Sequence, residues 1–585
     1  MIPDALRRRA IELGVQVTYE DVDQVVHDAD SAVVARVVEV LEADRSDQPE
    51  WVPPVHLDLR TPVPVDSATR AVTDAELIVD GTPHRVEVGP DGIVLPDDLP
   101  YGCHSLTVDG GATSAESVVV VAPSHAPGSD PARRRSSLFA PAYALWDDDE
   151  PLPSFGLLRR LARAIAADGI DTISTLPLYA TFLDDPFDPS PYSPISRLHW
   201  NEALLDDAAL PDVTASSADA VDGENVDWRR LGERRRQQLL RAAIDADDDL
   251  VSALARFSAA HPDVGSYARF RAGRESGGDL IVERSHVLGQ YLADQQLDAL
   301  GTDEAAAGLS LDLPIGSHPD GWETWAHPTL FAEAMAVGAP PDTFFTDGQN
   351  WGFAPQLPGE MRRSGYALWR QMIERAGRHA TMLRLDHVMA VHRLWWVPTG
   401  QAADRGVYVT YRHDELLAVI VASAAAADLD VVGENLGTVP PAVDRALGDW
   451  KMLGMHEEQF FLDVHDTTGQ RVLADIPNRS IAGVRTHDMA PFAVAADDID
   501  DAYRTLVGAT ADRPLLDAVL ERLATSDANT VVADLDDLLD DRRPHNLPGR
   551  VIPGIWQRRL DQSLTDTLAD ERVRRRVRLL DRNGR

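Results

Sequence analysis

The sequence predicts an α/β protein: a (β/α)8 TIM barrel with helical insertions, preceded by a small N-terminal module of helix and β-sandwich. Three observations predict it. From about residue 137 onward, amphipathic helical stretches alternate with short apolar runs, the rhythm of a parallel sheet wrapped by helices. From 51 to 122 the pattern is different, with short alternating runs separated by Gly and Pro turns. Finally, three acidic residues stand directly after three of the apolar runs, where a barrel gathers its functional groups.

Taken in order, residues 1–50 read as an N-terminal helical segment, with Val33, Val34, Val37, Val38, Val40 and Leu41 forming an apolar stripe. Residues 51–123 read as a small antiparallel sandwich, through runs such as Ala75–Asp80, His84–Val88 and Ser117–Val121. A structural or spacing role suits this unit better than carbohydrate binding. The Pro- and Gly-rich stretch 124–136, ending in Arg133-Arg134-Arg135, reads as a linker.

The barrel is expected over 137–585. Phe155–Ala167 carries Leu157, Leu158, Leu161, Ile165 and Ala166 on one helical face and ends at Gly169. Apolar runs at 170–178, 308–315, 381–385, 429–433 and 481–485 read as strands. A mostly polar, helical stretch at about 202–282 lacks this rhythm and reads as an insertion.

Composition narrows the partners. The formal net charge is −40, from 95 acidic and 55 basic residues, which opposes binding to nucleic acid or to an anionic membrane. Nearly every basic residue is Arg, and Lys451 is the single lysine; genome composition and a salt-adapted surface both fit this. One cysteine, Cys103, excludes an intrachain disulfide framework. No apolar run approaches the ~18 residues of a membrane span, and the N-terminus has no apolar core of secretory length. The expectation is a cytoplasmic protein.

The three strand-end acids are Asp386 in Leu383-Arg-Leu-Asp-His387, Glu434 in Val432-Gly-Glu-Asn-Leu-Gly437 and Asp488 in Arg485-Thr-His-Asp-Met489. Three carboxylates in one cleft suit cleavage of a glycosidic bond: one attacks the anomeric carbon, one protonates the leaving oxygen and one holds the sugar. Arg384, His387 and His487 accompany them. A metal site is the rival reading, because Asp386-His387 and His487-Asp488 offer suitable ligands; the flanking sequence is β-like, whereas His-Asp metal pairs usually lie on helices.

These residues, in this order, resemble the 4-α-glucanotransferases, the amylomaltase or disproportionating-enzyme family of the α-amylase clan. Ser190-Pro-Tyr-Ser-Pro-Ile-Ser-Arg197 with Asn201, Asp312-Leu-Pro-Ile315 with Asp320 and Trp325, and Gly338-Ala-Pro-Pro-Asp342 with Gly348-Gln-Asn-Trp-Gly352 resemble further segments of that family. The likeness runs through most of 137–560.

The resemblance implies Asp386 as nucleophile, Glu434 as general acid/base and Asp488 as transition-state stabiliser. It implies that Tyr192 stacks on the donor glucose, that Arg384 orients the nucleophile and that His387, His487 and Asp320 hydrogen-bond the same ring. Trp351 is expected as an aromatic platform for the apolar faces of sugars. Donor and acceptor are then maltooligosaccharides and α-glucans, with neither a cofactor nor a metal required, and the reaction is a retaining transfer. An α-amylase-type hydrolase is the nearer alternative and a glucan-binding protein the non-enzyme one. Two positions depart from the family pattern: Asn435 stands where Asp is frequent, and Ala390 where Gly is common. If Asn435 faces Glu434, the missing charge makes Glu434 easier to ionise.

Overall fold

The computed structural model describes residues 2–581 apart from 21–24, 46–49, 59, 67–71, 112, 131, 214–219, 342–344, 438 and 550–553. Asp342, part of the loop pattern noted above, lies outside the described residues.

Eight parallel strands form the central sheet: β1 (Arg135–Phe139), β2 (Thr172–Ser174), β3 (Gly308–Leu313), β4 (Met382–Leu385), β5 (Asp430–Gly433), β6 (Gly454–Glu457), β7 (Ser480–Gly483) and β8 (Thr530–Asp534). Each pairs with its sequence neighbour, and β1 pairs with β8. The circle closes between β5 and β6 through the bridge Val432–Leu453 and the hydrogen bond from Gly433 N–H to the Leu453 carbonyl. The result is the expected (β/α)8 barrel.

The helix Phe155–Ala167 follows β1 as expected; Ser154 caps it by accepting from Leu157 N–H, and Leu157, Leu158, Leu161 and Ile165 are buried. The helical stretch between β2 and β3 comprises Trp228–Ile244, Asp248–Ala260, Pro262–Ser276 and Leu280–Gly301, so helix continues past the expected limit at about 282. Strand β1 starts at Arg135, inside the stretch read as a linker, because Arg135 N–H donates to the Asn529 carbonyl and Arg135 pairs with Asp430.

Residues 335–410 hold a second, antiparallel sheet of Gln349–Asn350, Met335–Ala339, Arg393–Pro398 and Val407–Thr410. The N-terminal segment leans on it. Residues 5–45 are not helical throughout: helices Asp4–Glu12 and Ser31–Ala43 flank a short antiparallel pair, Thr18–Glu20 with Val26–Asp28. Backbone pairing explains the break, since Gln16 N–H donates to the Tyr408 carbonyl and Val15 bridges Val409.

The β-rich stretch forms a five-stranded sheet in the order Val55–His56, Ser114–Val121, Gly102–Asp109, Asp74–Val79, Thr82–Arg85. All its pairings are antiparallel except the first, which is parallel. With the ribbon Glu87–Gly89/Gly92–Val94 it encloses its own apolar cluster around Leu77, Ile93, Leu106 and Val119. Cys103 from this sheet lies against Val419 and Ser423 of the barrel helix His413–Ala426. No helix among the described residues is long and apolar enough to cross a membrane.

Candidate active site

Sheet register assembles the site. Asp312 of β3 and Arg384 of β4 are paired residues, so their side chains project from the same face of neighbouring strands. Arg384 Nη1 donates to both carboxylate oxygens of Asp312, at 2.7 and 2.9 Å. The same nitrogen reaches Asp386 Oδ1 at 2.9 Å. One register step on, Leu385 pairs with Gly433. Asp386 and Glu434 are the next residues on each strand and therefore leave adjacent strand ends together, about 4.8 Å being the spacing of neighbouring strands.

Glu434 is buried and its carboxyl is held by backbone: Oε2 accepts from His387 N–H and Oε1 from Leu436 N–H, each at 2.8 Å. Burial raises both acids. The Asp386 carboxyl is pushed up to about 8 by desolvation, with Asp312, Glu434 and Asp488 adding to the rise and Arg384 opposing it. Glu434 is raised for the same leading reason, against Arg384 and its two backbone donors.

Around this core, the Tyr192 hydroxyl donates to Asp312 Oδ2 at 2.6 Å. Its ring stacks on buried His487, with centroids 5.0 Å apart, and Phe139 also stacks on His487, at 6.2 Å. Burial keeps His487 neutral by lowering its pKa. Asp488 follows it as an exposed side chain that accepts from Asn546 Nδ2 at 2.5 Å.

His387 adopts a left-handed backbone, φ 44°, which turns the chain sharply after Asp386. Its imidazole, held down to about 4 by burial, meets the Trp351 ring edge-on at 5.3 Å. Trp351 in turn stacks with Phe353, in the chain that follows the Gln349–Asn350 strand of the second sheet.

The structure thus brings together Asp386, Glu434, Arg384, Tyr192, His387, His487 and Asp488, with Trp351 beside them. Asp320 stands apart: its side chain is exposed on the loop after β3, where its N–H donates to His318 Nδ1. No hydrogen bond joins it to the Arg384 cluster among the described residues.

Asp312 and Asn546 are members of the constellation to which sequence reasoning gave no role. Asp312 had a signal, an acid inside the apolar run Gly308–Leu313. Asn546 had none, since it lies in irregular chain beyond β8. The metal reading of the His-Asp pairs finds no convergent ligand set at these strand ends. Among the described residues, the only group spaced to hold an ion is Asp294, Asp298 and His379. There Arg375 and Arg378 already face Asp294.

A family model described as 4-alpha-glucanotransferase matches residues 152–284 and 280–565. The 4-alpha-glucanotransferase of Mycobacterium tuberculosis is 28% identical over 561 residues, covering 79% of this chain and 76% of its own. That of Haemophilus influenzae is 33% identical over 205 residues, 34% of this chain and 29% of its own. Among solved structures, amylomaltase from Corynebacterium glutamicum matches with a TM-score of 0.84 at 21% identity, over 99% of each chain. Amylomaltase from Streptococcus agalactiae, in complex with acarbose, matches with a TM-score of 0.67 at 23% identity, over 77% of this chain and 98% of that one. At those identities the two structures establish the fold.

Proposed function

The chain belongs to the 4-alpha-glucanotransferase family, enzymes that transfer glycosyl groups, and from that premise we propose that Asp386, Glu434 and Asp488 carry the transfer of α-1,4-glucan segments. Glu434 protonates the glycosidic oxygen as the bond to the anomeric carbon breaks, while Asp386 attacks that carbon and forms a covalent glycosyl-enzyme. Glu434, now ionised, takes the proton from the 4-hydroxyl of a second glucan, whose oxygen displaces Asp386. Two inversions give net retention, and the enzyme returns to its starting protonation.

The observation that carries this reading is the register Leu385–Gly433, which sends Asp386 and Glu434 from adjacent strand ends. Retaining glycosidases hold their two carboxyls ~5–5.5 Å apart, and inverting ones need ~6.5–9.5 Å to admit water. The position of Arg384 supports Asp386 as the attacking carboxylate, because a guanidinium in direct contact favours the charged form. In this reading Asp488, with Tyr192, His387 and His487, engages the donor sugar, and Trp351 supplies an apolar platform at the cleft edge. Asp320 is a sugar ligand here only through a movement of its loop.

Maltotriose as sole substrate tests the assignment. The wild type is expected to yield a ladder of longer oligosaccharides plus glucose, and Asp386→Asn to lose turnover by about 10³-fold or more. Shortened products without a ladder would reassign the protein as a hydrolase. Binding without turnover would make it a glucan-binding protein.

A further inference from the structure

Within the barrel, under the Arg384 cluster, lies a cavity of about 70 Å³ to whose wall all eight strands contribute. Glu457, the last residue of β6, lines it with a fully buried side chain, and neither carboxyl oxygen has a hydrogen-bond partner among the described residues. An unpaired buried carboxyl is costly to keep. The fold nevertheless makes room for it: opposite Glu457 on β7 stands Gly483, where a Cβ would come within 2.6 Å of Glu457 Oε2.

Arg384 lines the same cavity. Its hydrogen bonds to Asp312 and Asp386 all use Nη1, leaving the donors on Nε and Nη2 without an acceptor among the described residues. Unused donors and unused acceptors therefore border one cavity, together with Thr175, Ser310 and Asp534, while Phe139, Val432, Ile481 and Val532 make the rest of its wall apolar. A water needs ~10–15 Å³ of such volume and two to four polar partners, and the cavity meets both conditions for several molecules.

We propose that Glu457 is a positioning residue for glycosyl transfer, hydrogen-bonded through enclosed water to the free edge of Arg384 and thereby fixing the guanidinium that Asp386 shares with Asp312. Glu457 acts as a neutral acid. Arg384 is already faced by Asp312 and Asp386 at contact distance and by the Glu434 carboxyl. Arg485 also faces Glu457, but it is engaged by Asp534 and Asp537. Burial agrees, pushing the Glu457 carboxyl up to about 8, with Glu434 and Asp534 adding to the rise against Arg384 and Arg485.

The test compares Glu457→Leu with Glu457→Gln, which preserves shape and neutral hydrogen bonding. Glu457→Leu is expected to lower kcat on maltotriose by roughly 10- to 100-fold with little change in KM, the cost of a misplaced catalytic group. It should also move the acidic limb of the pH profile upward, because a loosened Arg384 favours ionised Asp386 less. Glu457→Gln should recover most of both. A folded Glu457→Leu enzyme with the wild-type profile overturns the proposal, as does a Gln variant as impaired as the Leu variant. Should Glu457→Leu not fold, a high-resolution crystal structure of the wild type decides: water bonded to both Glu457 and Arg384 supports the proposal and a dry cavity ends it. The proposal rests on Asp386 as nucleophile. That assignment fails separately, if Asp386→Asn retains turnover.

Discussion

The backbone N–H of His387 donates to Glu434 Oε2 at 2.8 Å, so the residue that follows Asp386 grips the carboxyl of the neighbouring strand. The two central acids are thus tied through main chain as well as through charge. Because Leu436 N–H takes the other oxygen, Glu434 is oriented without a side-chain hydrogen-bond partner among the described residues. Replacing it with Gln is expected to lower transfer from maltotriose by about 10²–10⁴-fold, the range for loss of a general acid/base. A glycosyl fluoride, whose leaving group needs no proton, separates the roles. Glu434→Gln should still release fluoride from an α-maltosyl fluoride, and Asp386→Asn should not. Equal failure of both variants would refute the division of labour.

Arg384 supplies the positive charge that opposes the burial of Asp386. Removing it by Arg384→Met raises the Asp386 carboxyl further above the ordinary carboxylate range. Because the attacking form is the ionised one, activity on the acidic side is lost at higher pH than in the wild type. The kcat/KM profile for maltotriose reads this directly, and an acidic limb that stays put or moves down contradicts the assignment.

Tyr192 does two things at once, donating to Asp312 and stacking on His487. Tyr192→Phe removes only the first. A hydrogen bond to a charged group contributes ~1.5–3 kcal/mol, so the thermal midpoint should fall by a few degrees, and kcat/KM should fall by about 10- to 100-fold because the same bond steadies the Asp312–Arg384 pair during transfer. Tyr192→Ala, which also removes the ring, should cost more in KM than Tyr192→Phe does.

The net charge of −40 is carried by a chain whose arginines are extensively engaged, as in the buried contacts of Arg197, Arg485 and Arg558. The unbalanced acids therefore repel one another at the surface. Added KCl shortens the screening length from ~10 Å at 0.1 M to ~3 Å at 1 M, and the thermal midpoint should rise across that range. Calorimetry in KCl checks it; a midpoint that falls would show that loss of ion pairs outweighs relief of repulsion.

Five of the eight strands are evident in the sequence, β2, β3, β4, β5 and β7, because they lie in apolar runs. The others hide for a physical reason, since a small barrel also needs polar residues inside. Strand β1 follows a basic run and contains Ser136 and Ser137, both buried; Ser137 Oγ pairs with Ser174 Oγ at 2.8 Å. Strand β6 reads Gly-Met-His-Glu, polar at its end where Glu457 enters the interior. The three strand-end acids could be read because their flanks are apolar, whereas the convergence of Asp312 and Asn546 upon them needed the register.

The two departures from the family pattern also resolve on geometry. Asn435 turns to β6, where Oδ1 accepts from Met455 N–H at 2.9 Å and abuts Gly454, so it is committed to holding that strand. Ala390 sits buried in the turn Val388–Val391 without a left-handed φ; His387 carries that conformation, so no glycine is needed at 390.

The barrel has one thin seam. Neighbouring strands share ladders of three to five paired positions, except β5 and β6, which meet at Val432–Leu453. Glu434 directly follows the strand on one side of that seam, and Glu457 ends the strand on the other. Amide exchange in the native enzyme will therefore start unzipping the cylinder between its proton donor and its buried acid, making this junction the softest in the ring and the first to register a bound sugar as slowed exchange.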